Sequence, residues 1–361
     1  MIRHEYIIDR PFEFEAGGVL EGVKIVYHTS KPSYNGSDKV VVICHALTAN
    51  SDPEEWWDTL VGPGKFFDTE KYFIFCVNML GSPYGSSGPI EMPEQVGHDG
   101  EDEHNDTPRH ARPRSGIWNP FGFPLVTVRD MVNASIEVRK HLGINKIDLL
   151  IGSSIGGFQA VEWAVMEPDI FKKVVFMATG ARVSPWISAS MEAQRMALEA
   201  DPSFRKCQSG LDGGKEGLKC ARAQALMTYR SYEGYQLTQA EKDEDTLFAG
   251  RAASYEQYQG KKLADRFDAY SYYYLTKSVD SHNVGRGRGG LAKALGRITA
   301  DTTAVFIDSD GLFPPSHMRE WARMIPGVTI KEISSDFGHD GFLLETEQIV
   351  NIIKPLLTVC K

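Results

Sequence analysis

The chain has little that would take it out of water. Its first residues, Met1-Ile2-Arg3-His4-Glu5-Tyr6, form no apolar stretch, and no long apolar run occurs later, so neither a signal peptide nor a membrane span is expected. Basic residues are outnumbered, 39 Lys and Arg against 48 Asp and Glu, and the net charge of -9 sets aside a general nucleic-acid binder, which needs basic surface. Cysteine is sparse: Cys44, Cys76, Cys207, Cys220 and Cys360 are scattered and odd in number. They suggest no disulfide framework and no zinc spacing, and free thiols fit a reducing cytoplasm. The remainder, 42% hydrophobic over 361 residues, suffices for one large domain or for a core with an insertion.

Apolar, β-branched runs at Val23–Tyr27, Val40–Cys44, Tyr72–Val77, Ile147–Ile151 and Val174–Ala178 alternate with helical patterns. Thr127-Val128-Arg129-Asp130 is a capping-box start, apolar Val128, Met131, Val132, Ile136 and Val138 follow at near-helical spacing, and Gly143 can end that helix. Strands alternating with helices predict an α/β fold, a mostly parallel sheet with helices on both faces. From 184 to 295 helical periodicity and polar loops replace the strands. The expected organisation is a core of residues 1–183 and 296–361 and a helical insertion over 184–295. An insertion at that sheet edge would sit over the site as a lid or tunnel.

The chemistry is concentrated at Gly152-Ser153-Ser154-Ile155-Gly156. A short apolar strand runs into Gly-x-Ser-x-Gly and a helix follows, the pattern of a nucleophile elbow that holds Ser154 above a parallel sheet. In α/β-hydrolase folds an acid and then a histidine follow the serine in chain order. Here the strand Thr303–Ile307 leads into Asp308-Ser309-Asp310-Gly311, and the strand Val328–Ile333 leads into Asp336-Phe337-Gly338-His339-Asp340. His339 is the candidate base, and Asp308 and Asp310 both stand where its orienting acid should be. Acyl transfer also needs two N–H donors for the oxyanion. Ile155, directly after the serine, is one candidate, and Leu47, in the loop after Val40–Cys44, is the other.

Two segments stay open. The acidic stretch of residues 90–120, with His98, His104 and His110, reads as a solvated loop or as a metal site, the loop being favoured. Gly285-Arg286-Gly287-Arg288-Gly289-Gly290 reads as an exposed loop or as a holder of nucleotide-carrier phosphates; it follows no strand and is no dinucleotide fingerprint.

Taken together, His45-Ala46-Leu47-Thr48, Trp56-Trp57, Gly62-Pro63-Gly64-Lys65, Tyr84-Gly85-Ser86-Ser87-Gly88-Pro89, Arg266-Phe267-Asp268 and Asp310-Gly311-Leu312-Phe313-Pro314-Pro315 make the chain resemble the homoserine O-acetyltransferase family of α/β-hydrolase-fold acyltransferases over nearly its whole length. The resemblance implies ping-pong transfer of acetyl from acetyl-CoA to the hydroxyl of L-homoserine, a step of methionine biosynthesis. It implies Ser154 as nucleophile, His339 as base and Asp310 as its orienting acid. It further implies Arg222 and Tyr229 (from Ala221-Arg222 and Thr228-Tyr229) and Asp340 as substrate-binding residues, Arg222 for the amino-acid carboxylate and Asp340 for the ammonium. It implies acetyl-CoA as co-substrate with no cofactor or metal, a cytoplasmic protein, and a homodimer paired through the inserted helices. The sequence departs from the family pattern in its long acidic loop and in Ala49, where glycine usually follows the threonine. Succinyl as the acyl group, serine as the acceptor, and plain esterase or thioesterase hydrolysis all use the same triad and remain alternatives.

Overall fold

The computed structural model describes residues 1–91, 120–206 and 212–357. Strand positions alternate between two apolar interiors. Val40 and Val42 join one buried cluster, while Val41 and Ile43 join another on the opposite face. This two-residue period is why runs that are apolar at every position become central strands covered on both sides. The sheet has eight strands: β1 (Ile2–Ile7), β4 (Lys24–Thr29), β5 (Val40–Cys44), β6 (Phe73–Val77), β7 (Ile147–Ser153), β8 (Phe171–Met177), β9 (Asp301–Ile307) and β10 (Thr329–Ile333). A separate short hairpin is made by β2 (Phe12–Glu13) and β3 (Val19–Leu20). The spatial order is β1-β4-β6-β5-β7-β8-β9-β10; only the β1–β4 and β4–β6 pairs are antiparallel.

One face is covered by the helices Val128–His141, Ile155–Met166 and Pro315–Ala322, whose buried residues include Met131, Trp163 and Trp321. The other face receives Ile349 and Ile353 of the helix Thr346–Leu357, together with Trp57, Leu60 and Phe67. Thr127 caps its helix as the sequence predicts: its hydroxyl accepts from Asp130 N–H, and the Asp130 carboxylate accepts from Thr127 N–H. The fold is that of the α/β hydrolases.

Between β8 and β9 run the helices Pro185–Ala200, Pro202–Lys206, Lys215–Tyr229, Tyr232–Gln239, Arg251–Ala264, Ala269–Asp280 and Leu291–Leu295. They share a buried interior through Leu198, Phe204, Leu218, Tyr270 and Tyr272, which is continuous with one of the two sheet clusters. Among the described residues no helix is long and apolar enough to cross a membrane.

Candidate active site

The parallel strands end at one edge, and the chemistry-bearing loops leave from there. Ser154 lies between β7 and the helix Ile155–Met166 at φ 57 and ψ -129. A side chain at positive φ costs about 1–3 kcal/mol and persists only where its surroundings over-determine it. Here Ser154 N–H donates to the Met177 and Ala178 carbonyls at 3.2 Å each. The Ser154 carbonyl accepts from the Thr179 hydroxyl at 2.7 Å and from Phe158 N–H at 3.1 Å. The flanking glycines are required by contact: a Cβ on Gly152 would stand 2.2 Å from the Gly156 carbonyl oxygen, and one on Gly156 would stand 2.2 Å from that of Cys44. The elbow and the end of β5 therefore touch backbone to backbone.

His339 sits in a short 3₁₀ turn, Gly338–Asp340, after β10, and Asp310 sits in the turn after β9. Each is 3% exposed. Asp310 Oδ2 lies 2.8 Å from His339 Nδ1, and Asp310 Oδ1 accepts from the Leu312 and Phe313 N–H groups at 2.8 Å. An ionised carboxylate only accepts, so this contact assigns the ring proton to Nδ1 and leaves Nε2 as the basic nitrogen. Nε2 is buried and, among the described residues, has no hydrogen-bond partner. Burial pushes the His339 pKa down, but the attraction and hydrogen bond of Asp310, with a contribution from Asp340, outweigh it and hold the value above the ordinary 6.5. The ring is wedged between Phe313 and Phe342, both 5.3 Å away between centroids. Phe313 in turn packs edge-on against Phe158 of the elbow helix at 5.7 Å. Asp308 is occupied elsewhere, accepting from the Ser334 hydroxyl at 2.7 Å and from Ser335 N–H at 3.0 Å.

The Leu47 loop leaves β5 against the elbow. His45 is fully buried, and its pKa is pushed down to about 4 by burial. Its Nε2 accepts from Met79 N–H at 3.2 Å, so Nδ1 holds the proton and donates to the Ala46 carbonyl at 2.9 Å. That carbonyl also accepts from Ala49 N–H at 3.1 Å. In a trans peptide C=O and N–H point oppositely, so fixing the Ala46 oxygen aims the Leu47 N–H away from it. Among the described residues the Leu47 N–H has no protein acceptor, and neither has that of Ile155, the first residue of its helix.

Arg222 and Tyr229 come from the helix Lys215–Tyr229. The Arg222 guanidinium carbon is 5.6 Å from the Tyr229 ring centroid, and that ring is 5.8 Å from the His339 ring. Burial raises the Tyr229 pKa, with Arg222 opposing and Asp340 reinforcing, so all three share one electrostatic neighbourhood. Among the described residues Arg222 forms no ion pair, whereas Asp340 Oδ2 is 2.9 Å from Arg230 Nε. Sequence patterning did not single out Arg230, which belongs to no motif quoted for the chain.

The glycine-rich stretch 285–290 has its arginines committed. Arg288 grips Glu162 at 2.6 and 3.1 Å, and Arg286 pairs with Glu15 at 2.6 Å. The stretch 90–120, read as a loop or a metal site, lies almost wholly outside the described residues. Among the described residues no group of three or more His, Cys, Asp or Glu could hold a metal ion.

The alpha/beta hydrolase fold family matches residues 39–346. The homoserine O-acetyltransferase of Cyclobacterium marinum is 37% identical over 356 residues, which covers 98% of this chain and 95% of the relative. The crystal structure of homoserine O-acetyltransferase from Bacillus anthracis superposes with a TM-score of 0.84 at 22% identity, covering 99% of this chain and 98% of that one. An acetylester hydrolase from Corynebacterium glutamicum gives a TM-score of 0.78 at 23% identity, covering 98% and 95%. Those two structural likenesses speak to the fold.

Proposed function

Because this chain belongs to the homoserine O-acetyltransferase family of α/β-hydrolase-fold acyltransferases, we propose that it moves an acetyl group from acetyl-CoA to the hydroxyl of L-homoserine through an acyl-serine. In this reading His339 Nε2 takes the Ser154 proton as Ser154 Oγ attacks the thioester carbonyl. The oxyanion rests on the Leu47 and Ile155 N–H groups. The carbon–sulfur bond breaks, the proton passes to the departing thiolate, and CoA leaves. Homoserine enters, its hydroxyl loses a proton to His339 and attacks the acyl carbon, and Ser154 is released with that proton. Arg222 receives the amino-acid carboxylate, Asp340 the ammonium, and Tyr229 closes the site between them. Acetyl-CoA is then a co-substrate, and no cofactor or metal takes part.

One observation carries transfer over hydrolysis: Arg222, which forms no ion pair among the described residues, lies 5.6 Å from the Tyr229 ring, that ring lies 5.8 Å from the His339 ring, and Asp340 follows His339 directly with its carboxylate on Arg230. An acetylester hydrolase has no use for a cation and an anion placed to hold an amino acid, whereas a transferase must position its acceptor ahead of water. We assign residues 184–295 the role of lid over this site. The exposed Met227, Tyr232, Leu237, Leu247 and Phe248 of that segment support pairing of two copies there.

The test is CoA release from acetyl-CoA, followed by its thiol. Without homoserine a single burst and an acetyl adduct on Ser154 are expected by mass spectrometry; with homoserine, steady turnover. Ser154→Ala should show neither adduct nor burst with an unchanged melting temperature. Equal turnover without homoserine would make the protein a thioesterase, and faster turnover with succinyl-CoA or with serine would change the substrate assignment.

A further inference from the structure

The loop that carries Leu47 is held at both ends. Inside the core His45 and Ala49 fix the Ala46 carbonyl. At the outer end the hold comes from the inserted segment. Arg266, two residues past the helix Arg251–Ala264, donates from Nη1 to the Thr48 carbonyl at 2.6 Å and to the Tyr84 hydroxyl at 2.5 Å. The Tyr84 hydroxyl reaches the same carbonyl at 3.3 Å. A charged donor and a phenol thus converge on one backbone oxygen, one residue beyond Leu47, and charge-assisted bonds of this kind are the strong ones.

Both partners stand on fixed ground. The Tyr84 carbonyl accepts from Asn78 Nδ2 at 3.0 Å, and Asn78 Oδ1 accepts from Ser51 N–H at 2.7 Å, so Asn78 ties the Tyr84 turn to the far end of the same loop. The buried ring of Phe267 packs edge-on against Tyr84 at 5.7 Å. Asp268 then caps the helix Ala269–Asp280 by accepting from Ser271 N–H at 2.7 Å. The tripeptide Arg266-Phe267-Asp268 is therefore a bracket: its aspartate starts a helix, its phenylalanine braces a tyrosine, and its arginine holds the loop.

We propose that Arg266 is a positioning residue for acyl transfer, its grip on the Thr48 carbonyl orienting the Leu47 N–H and making the oxyanion hole depend on the seating of the inserted segment. This rests on the reading of Leu47 as an oxyanion donor. A donor displaced by a fraction of an ångström loses most of its value at the moment charge develops. Arginine suits the place because its Nη1 carries two N–H groups held in one plane, one for the Thr48 carbonyl and one for the Tyr84 hydroxyl, while Nη2 lies 3.5 Å from the Thr48 hydroxyl; a lysine point charge does not reproduce that plane.

The oxyanion hole serves both half-reactions, and this separates positioning from acceptor binding. Arg266→Ala should slow the CoA burst and the single-turnover transfer to homoserine by the same factor. That factor is about tenfold to a hundredfold, somewhat less than outright loss of a donor. The homoserine KM should stay within about twofold, and Arg266→Lys should recover part of the loss. Tyr84→Phe keeps the ring on Phe267 and removes only the hydroxyl. It should slow both steps together by a smaller factor, and the double variant should be little worse than Arg266→Ala, since both act through one oxygen. A burst within twofold of the unaltered protein in Arg266→Ala, or a raised homoserine KM with an unchanged burst, would overturn the proposal. Ser154→Ala, run alongside, reports on the underlying reading: activity there would remove the acyl-serine itself, whereas its loss beside an active Arg266→Ala removes only the role given to Arg266.

Discussion

Two aspartates leave β9 two residues apart, and their neighbours give them different work. Asp308 ties down the start of the loop after β10, whereas Asp310 has one oxygen pinned by two backbone N–H groups and the other on His339. Asp310→Asn should cut the CoA burst by about 10⁴-fold, because an amide that donates toward the ring favours the wrong tautomer. Asp308→Asn should leave the burst within a few-fold, and the reverse result would move the acid. The pH profile carries the same assignment. His339 must be neutral to accept a proton, and its pKa is held above 6.5 chiefly by Asp310 against the opposing effect of burial. Burst rates should therefore fall as pH drops through a value above 6.5, and the residual activity of Asp310→Asn should persist to lower pH. Chain order alone left the two aspartates unresolved, because both follow the strand and only the turn at Leu312 and Phe313 tells them apart. Arg230 was not legible at all, since its tie to Asp340 joins residues more than a hundred positions apart.

At the level of elements, the strands read most clearly from sequence were those with apolar residues at every position, such as β5 and β6, because burial on both faces demands it. The strand β1 escaped notice for the opposite reason. It lies at the sheet edge, is largely exposed, and its Arg-His-Glu run offers no apolar signal. The elbow was legible because its glycines answer to a contact between elements. That contact makes a sharp prediction. A methyl at Gly156 meets the Cys44 carbonyl oxygen at 2.2 Å and the His45 carbonyl oxygen at 2.7 Å, and neither backbone atom can rotate away. Gly156→Ala should lower unfolding free energy by about 3 kcal/mol, the upper part of the range for overpacking, and should also push the Leu47 loop outward and abolish the burst. Gly311→Ala, where a Cβ meets nothing within 4 Å, is the control. Urea midpoints that coincide for the two variants would show that the elbow yields.

Across the whole molecule, the helical segment between β8 and β9 is joined to the rest of the chain at the Thr48 loop, at the loop after β10 and again behind the elbow. Near the sheet edge the Ser231 hydroxyl donates to the Asp336 carbonyl and Arg230 meets Asp340, while Arg266 holds Thr48. Behind the elbow helix Glu162, almost fully buried, receives Arg129 from the helix Val128–His141 at 2.8 Å and Arg288 from the end of the inserted segment at 2.6 Å. Glu15, just after β2, joins through Arg129 and Arg286. The sequence showed Gly285 to Gly290 only as a cationic loop; that its charge is internal follows from a carboxylate more than a hundred residues away. Removing that carboxylate leaves two guanidiniums facing a buried neutral group, and losing one partner of such a cluster costs about 3 kcal/mol. Glu162→Gln should therefore be less stable than the unaltered protein by about that amount at neutral pH. The sign of the pH dependence follows from the same contacts. Burial acts to raise the Glu162 pKa, but Arg288 and Arg129 outweigh it and hold the value below the ordinary 4.5. A depressed folded-state pKa gives stability that is present above the unfolded value and lost as pH falls through the folded one. The stability gap between the two proteins, read from urea unfolding at a series of pH values, should be constant above pH 4.5 and narrow below it. A gap that stays the same width in acid would mean that Arg288 and Arg129 do not stabilise the ionised Glu162 carboxylate.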